Sequence, residues 1–471
     1  MSVHEPLGVT PQSGTVEFES QTLGSRTAAR TRLRVAGARQ RVGLIALSGL
    51  LVTGLLVSIS AAHTEQLLPE TVRPVPSWLA GPFGGASIDL RSYGLIAVLV
   101  AMFACYAVAV HAADRLSARA VLMTIAALYA LVLLAPPLLS TDIFSYSAYG
   151  RMGTHYGANP YLLGPAAGIP TQDPLFPLIG AKWVTTPSAY GPVFTSLSYV
   201  LAPLSIAASV LAYKAIAAIA GLVTIAVVWN AARWRGVNSV KAVALVGLNP
   251  LTVIYGVGGG HNDLLMLAAM VAGVYAILQH RDRTGGGLLS LATGVKLTGG
   301  LMLPFAIAGG AIRRTGRREI VIGAVIATVL ITALSVALFG GGPLHLPTTI
   351  EHSQSAGDWH SIPGFITSRL GLGTIGRVTG LILTGAFVLC ACWLVRRVWR
   401  GQLDWIDGAG WATVAMLVTA GSLLPWYGAW LMPLAALGTD RRLWRSAIGL
   451  TGVILLILLF GYLPHGGSLG L

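Results

Sequence analysis

Apolar runs long enough to cross a bilayer recur along this chain from about residue 42 to residue 462. A soluble core cannot absorb that many. A membrane-crossing helix needs roughly 20 apolar residues, and soluble domains carry about a quarter charged residues. Here 54% of the residues are hydrophobic and only 10% are charged. The runs lack the alternation that a transmembrane β-barrel requires. The expected fold class is therefore all-α and polytopic, with about 13 transmembrane helices. They are placed at 42–62, 91–112, 120–139, 208–230, 241–256, 260–279, 287–297, 299–309, 318–339, 372–395, 407–424, 426–438 and 443–462.

The formal net charge of +14 raises nucleic acid as a partner, but its distribution argues against it. With the N-terminus inside, most Lys and Arg fall in cytoplasmic segments. These include Arg26 to Arg41, Arg233 and Arg235, Arg313 to Arg318, Arg396 to Arg400, and Arg441 to Arg445. That asymmetry is the positive-inside rule, with a secondary pull toward anionic lipid heads. The expected localisation is the plasma membrane, multi-pass, with a cytoplasmic N-terminus. Membrane lipids are expected partners and nucleic acid is not. Cys105, Cys390 and Cys392 all fall inside predicted spans, so they read as packing residues rather than a disulfide or zinc framework.

Residues 1–41 are polar and rich in Ser, Thr and Gly. They read as a disordered basic cytoplasmic tail, with 42–471 as the integral-membrane domain. No small-residue cleavage site follows the first apolar run, so that run is expected to remain as a helix. Two stretches are irregular. GLLSLATGVKLTGGLMLPFAIAGG, from residue 287, is long enough for one span, yet one span would put the Arg313–Arg318 cluster outside. Two short helices turning near Lys296 keep it inside, and such breaks are tolerated where they line a protein cavity. GPVFTSLSYVLAPLS, 191–205, is too short to span and reads as a helix in the outer interface. The long loops 63–90, 140–190 and 340–371 then lie outside, so the work of the protein is expected on the outer face. No internal repeat is visible, which weakens a secondary-transporter reading.

The outer carboxylates would be Glu65, Glu70, Asp89, Asp142, Asp173, Asp263, Glu351 and Asp358. Asp89 reads as an interfacial ion pair with Arg91. Asp142 and Asp263 sit at the outer ends of apolar helices, where desolvation can raise a carboxylate pKa and make it a general base. For Asp142, in S-T-D, a helix cap is the competing reading. Asp263 follows GGGHN, where glycines allow close backbone approach. His261 can donate to phosphate or sugar oxygens, and Asn262 and Asp263 suit capping. Ionisable groups at membrane depth are usually functional. Lys296, one of four lysines in the chain, can bind a phosphate or snorkel to the interface. Arg151, His155 and Asn159 can meet phosphate or sugar hydroxyls. Tyr146, Tyr149, Tyr156, Tyr161 and Tyr190, with Trp183, suit stacking on sugar rings. Trp426, Tyr427 and Trp430 read as an aromatic belt. His345, His352 and His360, with Glu351 and Asp358, match no compact metal motif and read as a solvated loop able to close over substrate. No phosphate-loop or dinucleotide motif occurs, so a soluble nucleotide sugar is not the expected donor.

Five segments carry a family resemblance: TDIFSYSAYGRMGTHYGANPY (141–161), SAYGPVFTSLSY (188–199), LNPLTVIYGVGGGHNDLLM (248–266), ATGVKLTGGLMLPF (292–305) and LPWYGAWLMPL (424–434). With them the chain resembles the polyprenyl-phosphomannose-dependent α-1,6-mannosyltransferases of actinobacteria, integral-membrane glycosyltransferases with the C-type fold. The resemblance implies transfer of mannose from polyprenyl-phosphate mannose to an α-1,6-mannan acceptor of a cell-envelope lipoglycan, on the extracytoplasmic face, with inversion at C1. It implies that Asp142 is the catalytic base. His261, Asn262 and Asp263 would border the cavity with Tyr146, Tyr190 and Asn159, and by charge and placement, rather than from the resemblance, Lys296 and Arg151 are expected to hold the departing phosphate. Some related enzymes carry two adjacent acids in this loop. Here Thr141 precedes Asp142, so no metal and no cofactor are expected, the lipid donor being substrate. A donor carrying arabinofuranose or glucose, or a transporter or flippase for a lipid-linked sugar, are the alternatives.

Overall fold

Proline, glycine and asparagine set most of the helix ends in this chain. The computed structural model describes residues 1, 14–310, 316–355, 361–371 and 376–462. Every regular element among them is helical. Helix α1 (Gly14–Ser60) packs against α2 (Arg91–Ala112) and α3 (Ala118–Leu134). α1 opens well inside the segment expected to be disordered. No proline lies between Gly14 and Arg41 to stop it, so the helix runs unbroken into the first apolar stretch. α3 stops where Ala135 turns extended ahead of Pro136 and Pro137. Seven residues later the chain re-enters a helix, α4 (Asp142–Tyr156), followed by the single turn α5 (Pro165–Gly168).

Helix α6 (Pro192–Leu201) starts on a proline behind Gly191, a favoured first position. It is the short helix expected at 191–205, and it packs on α4. The long α7 (Ile206–Trp234) is capped by the Ser205 hydroxyl, and α8 (Ser239–Gly247) by Asn238. Asn249-Pro250 halts α8. The chain restarts as a π-helical turn, Leu251–Val257, bent by 50° from α8, with the Asn249 side chain accepting from the amides of Leu251 and Thr252. Gly258–Gly260 then leads into α9 (Asp263–Leu278), which packs against α7 and α10 (Asp282–Val295). At Lys296 the backbone turns extended, and the helix resumes as a 3-10 turn and α11 (Met302–Gly310). The break anticipated near Lys296 is therefore present.

The remaining helices are α12 (Gly316–Phe339), α13 (Leu346–Ser355), α14 (Ile362–Arg369), α15 (Arg377–Trp399), α16 (Trp405–Thr419), α17 (Leu431–Leu437) and α18 (Arg441–Tyr462). Among the described residues, six helices are long and apolar enough to cross a membrane, or seven if the bent pair at Asn249-Pro250 counts as one span. Six or seven replaces the expected 13 as the count that helix length supports. The chain breaks several of the apolar runs into pieces too short to qualify alone. Ala118–Leu134 and Asp263–Leu278 fall below the length, and Leu297–Gly310 is only half a span. On α15 only 6% of the apolar window is buried in the protein, and on α12 22%. Surfaces that apolar need lipid around them.

Candidate active site

Three broken segments meet at one end of the bundle. They are the 135–141 linker with the first turn of α4, the Gly258–Asp263 turn, and the break at Lys296. The linker is fastened to the turn by the Leu138 amide, which donates to the Gly258 carbonyl at 3.1 Å. The Gly191 amide donates to the Val295 carbonyl at 3.1 Å, which joins the Tyr190 loop to the break. Asp142, Tyr190 and Lys296 line one cavity of about 920 Å³.

Asp142 is 4% exposed and occupies the first helical position of α4. Thr141 is the N-cap residue, so the Asp142 carboxylate is not the helix cap. Its Oδ2 lies 3.4 Å from His261 Nδ1 and accepts from the Tyr190 hydroxyl at 3.4 Å. Its own amide donates to the Ser140 hydroxyl at 3.2 Å. Burial pushes the carboxyl pKa up. The hydrogen bond and electrostatic pull of the His261 imidazole, the Lys296 ammonium and Ser140 together outweigh burial and hold it below the usual carboxylate range. Desolvation was expected to raise it, and the neighbours reverse that sign.

His261 is fully buried, with its ring stacked on Trp426 at 3.6 Å between centroids. Its Nδ1 also lies 3.4 Å from the Tyr146 hydroxyl, which donates to Asn262 Oδ1 at 3.5 Å. His261 therefore backs Asp142 and is not part of the cavity wall. Asp263 is buried and holds Lys296 Nζ through both oxygens, at 2.8 and 3.0 Å. The Trp430 indole donates to Asp263 Oδ1 at 2.7 Å. The Lys296 ammonium lies over the rings of Tyr427, at 4.7 Å, and Trp430, at 5.3 Å. Its side chain is 12% exposed, toward the cavity. Three N–H donors against two carboxylate contacts leave one for a ligand.

These contacts correct the belt reading of Trp426, Tyr427 and Trp430. All three pack into the site, and Trp426 and Trp430 are 5% exposed. A belt and a site wall have the same composition at a helix end, so only packing separates them.

The comparisons bear on this arrangement. A family model described as alpha-(1->6)-mannopyranosyltransferase, N-terminal domain, matches residues 40–311. A model for glycosyltransferase family 87 matches residues 189–458. The chain belongs to the α-(1→6)-mannopyranosyltransferase family. A Corynebacterium glutamicum protein named alpha-(1->6)-mannopyranosyltransferase B is 30% identical over 66% of this chain and 58% of its own length. A Mycobacterium tuberculosis protein named alpha-(1->6)-mannopyranosyltransferase A is 27% identical over 69% of this chain and 67% of its own. No solved structure matches the chain. Both matched families place it in the glycosyltransferase class.

For a mannopyranosyltransferase family member, several of the expected contacts fall elsewhere. Arg151 pairs with Asp173 at 2.7 and 2.8 Å, and Tyr156 donates to the same carboxylate at 2.6 Å. The guanidinium is spent on folding the loop and does not line the cavity. Asn159 donates to the Phe339 carbonyl and caps its own turn by accepting from the Tyr161 amide. Tyr149 and Tyr161 donate to backbone carbonyls at Thr186 and Tyr190. Tyr146 is buried in an aromatic cluster with Tyr190, Phe194 and Tyr213, at centroid distances of 4.9, 4.7 and 5.5 Å. Of the five tyrosines, Tyr190 alone reaches the cavity, joined there by Trp183. Glu351 also lines it, from α13. Among the described residues no three His, Cys, Asp or Glu side chains form a metal-ligating group. Asp358, His360 and the His352 side chain lie outside the described residues.

Proposed function

We propose that the chain transfers mannose from polyprenyl-phosphate mannose to an α-1,6-mannan acceptor on the extracytoplasmic face of the plasma membrane, inverting C1. The observation that carries this reading is the shared cavity. A buried carboxylate and a lysine ammonium face one volume whose other walls include the apolar Leu381, Phe387 and Leu417. A lipid-linked phosphosugar needs that combination.

In this mechanism Asp142 takes the proton from the acceptor 6-hydroxyl as its oxygen bonds to C1. The C1–O bond to phosphate breaks from the opposite side, and its electron pair leaves on the phosphate. The phosphodiester gains one negative charge while Asp142 loses one. Lys296 stabilises the departing phosphate with its remaining N–H. His261 and Tyr190 keep the carboxylate ionised and aimed. Asp263 and Trp430 keep the ammonium in place.

The test supplies protein in native membranes with a short α-1,6-mannoside and one donor at a time. The donors are polyprenyl phosphate bearing mannose, arabinofuranose or glucose. The reading expects transfer from the mannosyl donor, with an α-1,6 linkage in the NMR spectrum of the product. Preference for another sugar, a β linkage, or passage of the donor across the bilayer without transfer would overturn it.

A further inference from the structure

Of the four lysines, Lys214 alone is fully buried, and the chemistry above gives it no role. It lies on α7, within a helix long enough to cross the membrane, and is 1% exposed. An amino group at such depth is costly unless its donors are satisfied. Here Nζ donates to the Ala135 carbonyl and to the Pro136 carbonyl, the latter at 3.0 Å. Both carbonyls lie just past the end of α3, where the prolines leave the chain without helical partners. The aliphatic stem faces the second segment of the site. Gly260 has φ +66, and a Cβ there would sit 3.2 Å from Lys214 Cγ and 2.8 Å from Ile143 Cδ1. One side chain thus touches the linker that ends in Asp142 and the turn that ends in His261.

We propose that Lys214 is a positioning residue for the transfer reaction. Its amino group pins the 135–141 linker against the glycine turn and so holds Asp142 opposite His261. The proposal rests on Asp142 being the base. Removing the amino group frees two carbonyls at the start of the linker. The Leu138 and Leu139 amides, bonded to Gly258 and Leu67, are next in line to loosen. A base displaced by about 1 Å costs on the order of a hundredfold in rate without changing what the cavity binds.

Lys214→Met tests this, since it keeps a stem of similar length and removes only the amino donor. Lys214→Leu, which likewise lacks a donor, serves if the Met variant does not accumulate. Two readouts are taken on detergent-purified full-length protein. Amide hydrogen exchange over residues 138–143 should quicken by about tenfold or more, with the long helices unchanged. The kcat per folded molecule should fall roughly ten- to a hundredfold, with donor and acceptor KM within about twofold of wild type. Unchanged exchange over 138–143, or a fall in folded yield with kcat intact, would overturn the proposal. Failure of the functional reading shows up separately, as no transfer by wild type or full transfer by Asp142→Asn. The exchange result stands apart from both.

Discussion

At the residue scale, two buried side-chain pairs divide the proposed labour. In the proposed mechanism Asp142, 3.4 Å from His261, would form the proton-accepting side, and Asp263, 2.8 Å from Lys296, would hold the charge-stabilising side. Lys296→Met removes a charge-assisted hydrogen bond to phosphate, worth about 1.5–3 kcal/mol. The kcat/KM for donor should fall by roughly ten- to a hundredfold. It also strands a buried Asp263 carboxylate, at a cost of about 3–5 kcal/mol. Adding Asp263→Asn should therefore restore thermal stability but not transfer, and a double variant that regains activity would contradict the role given to Lys296. The pH dependence follows from Asp142. Its folded pKa is depressed, so the base is ionised at every pH above the ordinary carboxylate range. Its contribution to stability is complete above the unfolded value of about 3.9 and is lost as pH falls through the lower folded value. Transfer should thus hold level between about pH 7 and pH 5, and a carboxylate-type loss centred in that window would contradict the assignment.

At the element scale, the site is made of interruptions. A proline pair ends α3, Asn249-Pro250 and three glycines precede His261, and an extended residue splits α10 from α11 at Lys296. Gly191 joins the Tyr190 loop to the last of these. A Cβ there would lie 2.2 Å from the Gly294 carbonyl oxygen, a backbone atom that cannot swing aside. Gly191→Ala should push the Tyr190 loop away from the Lys296 break, costing about 1–3 kcal/mol of stability. It should lower transfer while leaving the span helices intact by circular dichroism, whereas wild-type transfer would show the joint to be slack. The interruptions were legible in the sequence because Pro, Gly and a stray Lys stand out against apolar helix. The partners were not. Arg151 looked free for phosphate because Asp173, 22 residues on, gave no sign of folding back onto it. Trp430 looked like an interfacial anchor because nothing local shows that its indole meets Asp263, 167 residues earlier. Such choices are made by tertiary packing, which a linear pattern does not carry.

At the scale of the whole molecule, helix breaks and loops bring Asp142, Tyr190 and Lys296 to one cavity, while α12 and α15 present apolar flanks. Sequence periodicity gave the helical class, while helix length among the described residues supports six or seven spans and leaves 13 unconfirmed, because a split helix and a full one have similar hydropathy. We propose, from the charge asymmetry, that the loop end faces outside. Lys182, beside Trp183 on the cavity's loop, and Arg441, at the start of α18, are on opposite faces in that scheme. With Cys105, Cys390 and Cys392 replaced by Ala, a Lys182→Cys variant should react with a membrane-impermeant maleimide on intact cells. Arg441→Cys should react only after permeabilisation. The reverse pattern would invert the protein and move the proposed chemistry to the cytoplasm.

The central claim is that Asp142 accepts the acceptor proton in a mannosyl transfer. The most direct test compares wild type and Asp142→Asn at matched expression, using radiolabelled polyprenyl-phosphate mannose and a short α-1,6-mannoside. Loss of an essential base predicts a fall of roughly a hundredfold or more, with unchanged donor binding. Transfer by the variant at a rate near wild type would remove Asp142 from the chemistry.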